Sequence, residues 1–104
     1  GLIYSYPYHD LLHPFAGKYL MRYGQVPSAF AAEAYDAMIT LAESVGECGK
    51  DTSCIHEWYT SREYNGALGT VQFDEVADAK YGFVFKKIQD GKFAVYDVEL
   101  VEKK

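Results

Sequence analysis

The chain has no apolar run near the roughly 20 residues that a membrane-spanning helix needs. It also has no cluster of Lys and Arg interleaved with aromatics. Its 10 basic residues are outnumbered by 15 acidic ones, giving a formal net charge of −5. The electrostatic footprint of a nucleic-acid-binding surface is therefore missing, and no nucleic-acid partner is expected. Cysteine is scarce, with only Cys48 and Cys54. Their spacing is too long for a Cys-x-x-Cys redox pair, and no second ligand pair accompanies them for zinc. They form either a disulfide, which requires an oxidising compartment, or two reduced and merely structural thiols. No G-x-S-x-G occurs, and Gly66-Ala67-Leu68-Gly69-Thr70 lacks the third glycine and the strand-then-helix context of a phosphate cradle. The glycines there are expected to serve a tight turn and close backbone packing. No Ser or Cys is accompanied by a base and an oxyanion hole, so no catalytic residue is assigned and no enzyme is expected. Internal repeats and low-complexity segments are absent too.

Aromatic residues, by contrast, are dense. Ten Tyr, six Phe and one Trp make up 16% of 104 residues, a share that points to core or to a recognition surface. The length suits about one domain, able to bury roughly 65% of the surface that its unfolded form exposes.

Leu2 to Tyr6 reads as a short strand that stops at Pro7, which cannot donate to a ladder. Tyr4, Tyr6 and Tyr8 alternate, so three phenols could line a cleft edge, or pack in a core or interface. His9-Asp10-x-x-His13 sets two imidazoles four residues apart. Pro14 disfavours helical geometry at His13, however, so the rings are expected to diverge, and neither a metal nor a cofactor is expected. From Leu11 to Tyr23 the apolar positions Leu12, Phe15, Tyr19 and Tyr23 recur at helical spacing; His13-Pro14 opens this helix, with Pro14 where a missing N–H costs little, and Gly24 stops it.

The longest element is a helix from Ser28 to Val45, with Pro27 and Ser28 at its start and Gly46 at its end. Phe30, Ala34, Ala37, Leu41 and Val45, widened by Met38 and Ala42, form the stripe expected to be buried. Glu33, Asp36, Thr40, Glu43 and Ser44 fall largely outside it. A third helix is capped by Asp51 or Thr52, with Ile55, Trp58 and Tyr59 on its inner side and His56 exposed beside Glu57. Asn65-Gly66 marks a turn, and Gly69 to Asp74 alternates as a short strand. Beyond a polar connector, Tyr81, Phe83 and Phe85 alternate with Val84 and Ile88. After Asp90-Gly91, a strong hairpin signal, come Phe93, Val95 and Val98. Glu102 to Lys104 is expected to be a solvated end. The chain opens directly on a strand pattern, as expected of a piece of something longer.

One succession of motifs is specific as a series. Tyr23-Gly24, Pro27 and Ala34-Tyr35-Asp36-Ala37 are followed by Tyr64 to Asp74 and then by Ile88-Gln89-Asp90-Gly91-Lys92-Phe93. The series resembles the C-terminal part of the branched-chain amino acid-binding, type 1 periplasmic binding proteins of ABC importers. The resemblance covers nearly the whole chain. It implies an α/β fold, the C-terminal part of a two-lobe protein, seen here as a strand, three helices, a short strand and a terminal β-hairpin. Residues 1–104 would be a single fragment, with 1–8 as the strand crossing the hinge, 9–74 as first-lobe helices and strand, and 81–101 as the hairpin returning to the second lobe. The family commonly continues Phe-Asp with Asn/Lys-Gly-Asp, whereas Glu75-Val76-Ala77-Asp78 lacks that glycine, so a different connection is expected there.

By the same resemblance, Tyr6, Tyr8 and Tyr35 are the candidate ligand-binding residues, with Tyr35 also suited to packing on its own sheet. The implied function is to bind an amino acid or similar small polar solute between two lobes and deliver it to an ABC permease. The remainder of the same two-lobe protein would be a further partner. The implied place is the periplasm or the extracytoplasmic surface, which agrees with a Cys48–Cys54 disulfide. A ligand-sensing receptor domain of the same fold, or a stand-alone α+β interaction module that forms a homodimer, are the alternatives. If the family reading holds, the apolar stripe of the long helix should be partly orphaned, for want of the sheet it would cover.

Overall fold

A computed structural model describes residues 2–96. Gly1, the far end of the expected hairpin with Val98, and the expected solvated end at 102–104 lie outside the described residues. The elements run β1 (Ile3–Pro7), α1 (Pro14–Tyr23), α2 (Ala29–Cys48), α3 (Thr52–Thr60), β2 (Glu63–Gly66), β3 (Gly69–Phe73), β4 (Ala79–Lys80), β5 (Phe83–Gln89) and β6 (Lys92–Tyr96). The fold is mixed α/β, with three helices and two small antiparallel sheets ordered β1-β5-β6 and β2-β3-β4. The second sheet contains two strands, β2 and β4, that the sequence reading did not anticipate.

Each helix starts where a side chain can satisfy an otherwise unpaired N–H. His13 Nδ1 accepts from Phe15 N at 3.1 Å, Ser28 Oγ from Ala31 N at 3.3 Å, and Asp51 Oδ1 from Ser53 N and Cys54 N. Helix α1 begins at Pro14 with His13 as its cap, as the His13-Pro14 opening leads one to expect, and Leu12, counted among the helix's apolar positions, is left 95% exposed in the preceding turn. Helix α2 runs through Gly46 and stops at Gly49, whose φ is +61° and whose N–H bonds to Val45 O at 2.8 Å. Gly46 alone is a weak breaker, worth about 1 kcal/mol in a helix interior. The Cys48–Cys54 disulfide then fastens the end of α2 to the start of α3, across 6 positions in the chain.

The expected burial of α2 is inverted. Ala29, Ala32, Asp36, Thr40 and Ser44 face inward, while Phe30, Met38, Leu41 and Val45 are exposed. Small residues let the β2–β3 turn and α3 approach closely, and the buried hydroxyls are satisfied within the helix. Thr40 Oγ1 donates to Asp36 O at 2.8 Å, and Ser44 Oγ donates to Leu41 O at 2.9 Å. Tyr59 Oη adds a bond to Thr40 Oγ1 from α3. The apolar stripe faces away from the core, orphaned as the family resemblance implies. The core itself is small, made of Ala32, Ala67, Leu68 and Val71 with Phe15, Tyr35, Phe73 and Tyr81 packed against it.

The hairpin β5–β6 turns through Asp90 and Gly91, at φ +53° and +74°, with Gln89 opposite Lys92. Two consecutive positive φ values are what a two-residue turn of matching twist requires. Ile3, Phe83 and Phe85 on one face of this sheet, and Leu2, Phe93 and Val95 on the other, are exposed. A sheet with apolar residues bare on both faces carries the pattern of one that is covered on both.

The connector after Phe73 keeps a tight turn despite its missing glycine. Asp74 Oδ1 accepts from Val76 N and Asp78 N, and Ala77 takes the left-handed conformation at φ +66°. The carboxylate organises the turn, and an L-residue occupies a position that glycine would fill without strain.

Candidate functional site

Two stretches carry the backbone between the sheets, and they lie side by side. The chain leaves β1 through Tyr8 to Asp10, and it returns from β4 to β5 through Tyr81 and Gly82. Tyr8 N donates to Gly82 O at 2.9 Å. Asp10 N donates to Ala67 O at 2.7 Å, which rests the outgoing stretch on the β2–β3 turn.

That turn is built for close approach. Gly66 pairs with Gly69 across Ala67 and Leu68. A Cβ on Gly66 would collide with the Asp36 carboxylate and the Tyr64 ring. Gly69, at φ +81°, lies under the Tyr8 ring, whose Cε1 would stand 3.0 Å from an added Cβ. The turn's own N–H groups have no strand partner, and Asp36 supplies one for each. Its Oδ1 accepts from Ala67 N at 2.8 Å and its Oδ2 from Leu68 N at 2.9 Å. Asp36 is only 5% exposed, and charge-assisted bonds of this kind are what make a buried carboxylate tolerable.

The three candidate tyrosines are placed differently. Tyr6 shares a sheet face with Tyr4, Val84 and Lys86. Its hydroxyl accepts from Ala29 N at 3.3 Å, at the first turn of α2, and the Lys86 Nζ stands 4.0 Å from its ring centroid. Tyr8 lies beyond the strand on the crossing stretch, partly exposed above Gly69. Tyr35 stacks on Phe15 with centroids 4.4 Å apart, meets the edge of His13 at 5.9 Å, and packs against the core. A concavity of about 260 Å³ opens between α2 and the second sheet, lined in part by Glu33, Asp36, Thr40, Tyr64 and Tyr81; none of the three candidates lines it.

Tyr64 is the one group here with a displaced titration. Burial, and then the negative charges of Asp36 and Glu43 with a contribution from Tyr35, push its phenol up to about 12. Among the described residues no set of His, Cys, Asp or Glu is grouped to hold a metal ion. The arrangement offers aromatic faces, phenol hydroxyls and a carboxylate both of whose oxygens accept backbone N–H groups, groups suited to recognition.

The sequence reading named Asp36 within the Ala34-Tyr35-Asp36-Ala37 motif but set it outside the buried stripe, and so did not see it as the acceptor of the β2–β3 turn. The readable signal was the pairing of an acid on a helix with a Gly-x-x-Gly turn, whose two central N–H groups need an acceptor. Tyr64 and Lys86 carried no such signal.

No family profile matches the chain, and no curated protein sequence matches it. Solved structures do. An extracellular ligand binding receptor from Desulfohalobium retbaense is 36% identical over 95% of this chain and 18% of its own, with a TM-score of 0.84. A leucine binding protein, LivK, from Thermotoga maritima is 28% identical over 93% of this chain and 30% of its own, at 0.77. A substrate-binding protein of an ABC transporter from Desulfitobacterium hafniense, solved with Leu, is 27% identical over 92% and 31%, at 0.76. The chain thus spans less than a third of each of these three. In motifs and in fold alike, the chain matches a segment of a type 1 periplasmic solute-binding protein.

Proposed function

We propose that this chain is part of an extracytoplasmic solute-binding protein that captures an amino acid or similar small polar solute between two lobes and hands it to an ABC permease. The observation that carries this reading is the pair of crossings, joined by Tyr8 N to Gly82 O, between two sheets. Two adjacent stretches linking the two sheets make a hinge, about which closure over a solute would occur. On this reading β1 and β5–β6 belong to the second lobe, while α1 to β4 belong to the first. The bare faces of the first sheet and of α2 are covered by the rest of the protein. Tyr6, Tyr8 and Tyr35 are the residues proposed to face the solute. The leucine-binding neighbours support the amino acid class. The disulfide supports an oxidising, extracytoplasmic setting.

Calorimetric titration with the twenty amino acids tests this proposal. The 104-residue chain alone is expected to bind none of them in the micromolar range, because a half-built cleft lacks most of its convergent donors. The whole reading frame is expected to bind at least one. Micromolar binding by the chain alone, or none by the whole, would overturn the proposal. A sensing role is the second reading, favoured by the 36% identical neighbour, an extracellular ligand binding receptor. Uptake of the bound solute by cells carrying the cognate permease, lost on deletion of the protein, separates import from sensing.

A further inference from the structure

Beyond Tyr8 the crossing stretch is no longer held by its own sheet. β1 ends at Pro7, and Pro7 has no N–H with which to continue a ladder. Tyr8 N bonds Gly82 O in continuation of the β1–β5 register, and past it the bond from Asp10 N to Ala67 O fixes the backbone to the β2–β3 turn. The turn in turn is fixed from α2. Ala67 donates its N–H to Asp36 Oδ1 and accepts with its C=O from Asp10 N; Leu68 N donates to Asp36 Oδ2; Gly69 is the floor beneath the Tyr8 ring. Both sides of a single peptide unit's neighbourhood are thereby engaged, the carboxylate on one and the crossing backbone on the other.

We propose that Asp36 is a positioning residue for the hinge: it clamps the Ala67–Leu68 turn, and the clamped turn sets where Tyr8 to Asp10 run. The chain of contacts is short and continuous, and it is the hydrogen-bonded support of the turn from α2, beside the packing of Ala32 against Ala67 and Leu68. The only described side-chain acceptor for the Ala67 and Leu68 N–H groups is Asp36. An Asn in its place keeps the shape but offers one oxygen, so one N–H would face an amide NH₂ and the turn would loosen. The significance for solute binding rests on the proposed function, in which Tyr8 lies on the crossing between lobes.

Amide hydrogen exchange, resolved by residue in the 104-residue chain without any solute, tests it. In the unaltered chain the Asp10 amide is expected to open together with the Ala67 and Leu68 amides, at a common opening free energy. In Asp36→Asn the three are expected to exchange about tenfold faster, the effect of one lost charge-assisted bond, while the β5–β6 amides change less than about twofold. Loss of protection at Ala67 and Leu68 with Asp10 unchanged would overturn the proposal. So would an Asp10 amide in the unaltered chain that opens with β1, or that exchanges as in an unstructured chain. The second comparison needs no variant, so an Asp36→Asn chain that fails to fold leaves the test standing. Because no solute is added, a chain that proves to bind none leaves the readout intact.

Discussion

Replacing Cys48 and Cys54 by serine is expected to lower stability by an amount that the small loop sets. The bridge joins positions 6 apart. In the chain-entropy description, a loop of that size removes roughly 7–8 cal/mol/K from the unfolded state, about 2 kcal/mol at 25 °C. The folded state loses little beside it. Tyr59 still bonds Thr40 across α2 and α3, and Asp51 still caps α3 through Ser53 N and Cys54 N. Trp58, the single tryptophan, is buried one helical turn beyond Cys54, so its fluorescence follows the same corner. In a urea titration read by that signal, the midpoint is expected to fall by about 1 M while the slope stays unchanged, because the surface exposed on unfolding is the same. Treating the unaltered chain with a reductant should reproduce the shift, and treating the serine variant should do nothing. A loss under about 0.5 kcal/mol would show that the bridge does not restrain the unfolded chain. A loss above about 4 kcal/mol would show that it holds native structure the hydrogen bonds do not. Either result refutes the reasoning.

Three further outcomes follow from the turns and from Tyr64. Gly66→Ala is expected to cost about 2 kcal/mol, because its Cβ meets the Asp36 carboxylate and the Tyr64 ring; a chemical denaturation midpoint equal to that of the unaltered chain would contradict this. Ala77→Gly is expected to stabilise by about 0.5 kcal/mol, the left-handed penalty removed less the added freedom of glycine when unfolded, and a lower thermal midpoint would count against it. In a spectrophotometric titration one tyrosine is expected to ionise near 12 and to move down in Asp36→Asn. Its raised folded value means that the stability it contributes is complete below pH 10 and is lost as pH climbs from 10 towards 12. A Tyr64→Phe variant that loses stability over that window as steeply as the unaltered chain would exclude the assignment.

How much could be read in advance depended on whether the deciding partner was close in sequence. Asp90-Gly91 specifies its own turn and pairs Gln89 with Lys92, and Ser28 and Asp51 cap helices whose first residues adjoin them; all of these interactions are local. The buried face of α2 was decided by distant residues. Hydrophobicity assigned burial to Phe30, Met38, Leu41 and Val45, but within these residues nothing comes to cover them, and the Gly66–Gly69 turn comes instead to Asp36. A stripe that reads as core and lies bare is informative: its pattern was set by something longer than what it packs with here. β2 and β4 went unseen for a related reason. Each is short, and each becomes a strand only because β3 lies beside it. The missing glycine after Phe-Asp was visible, yet its consequence was not, because Asp74 supplies by its side chain what the backbone lost. Of the candidate tyrosines, sequence placed Tyr6 and Tyr8 on the crossing, but it had no means to set Tyr6 against Ala29 N, since strand and helix meet only in three dimensions.

The two crossings also fix an order of assembly. β5 finds β6 through two residues, but it finds β1 only after residues 8–82 have been gathered. Closing that loop in a flexible chain costs about 4 kcal/mol. A short antiparallel pairing returns that cost poorly, so β1 is expected to join last. Once the helices and second sheet have formed, the ends to be joined are no longer far apart, since Tyr8 and Gly82 are held 2.9 Å apart. Pulse-labelled amides should therefore become protected in β5–β6 and the helices before β1, and simultaneous protection would show that the strand nucleates the sheet instead. On this order, the strand that begins the sequence reports the completion of the fold, and a chain whose helical half is damaged should leave β5 with its edge unpaired.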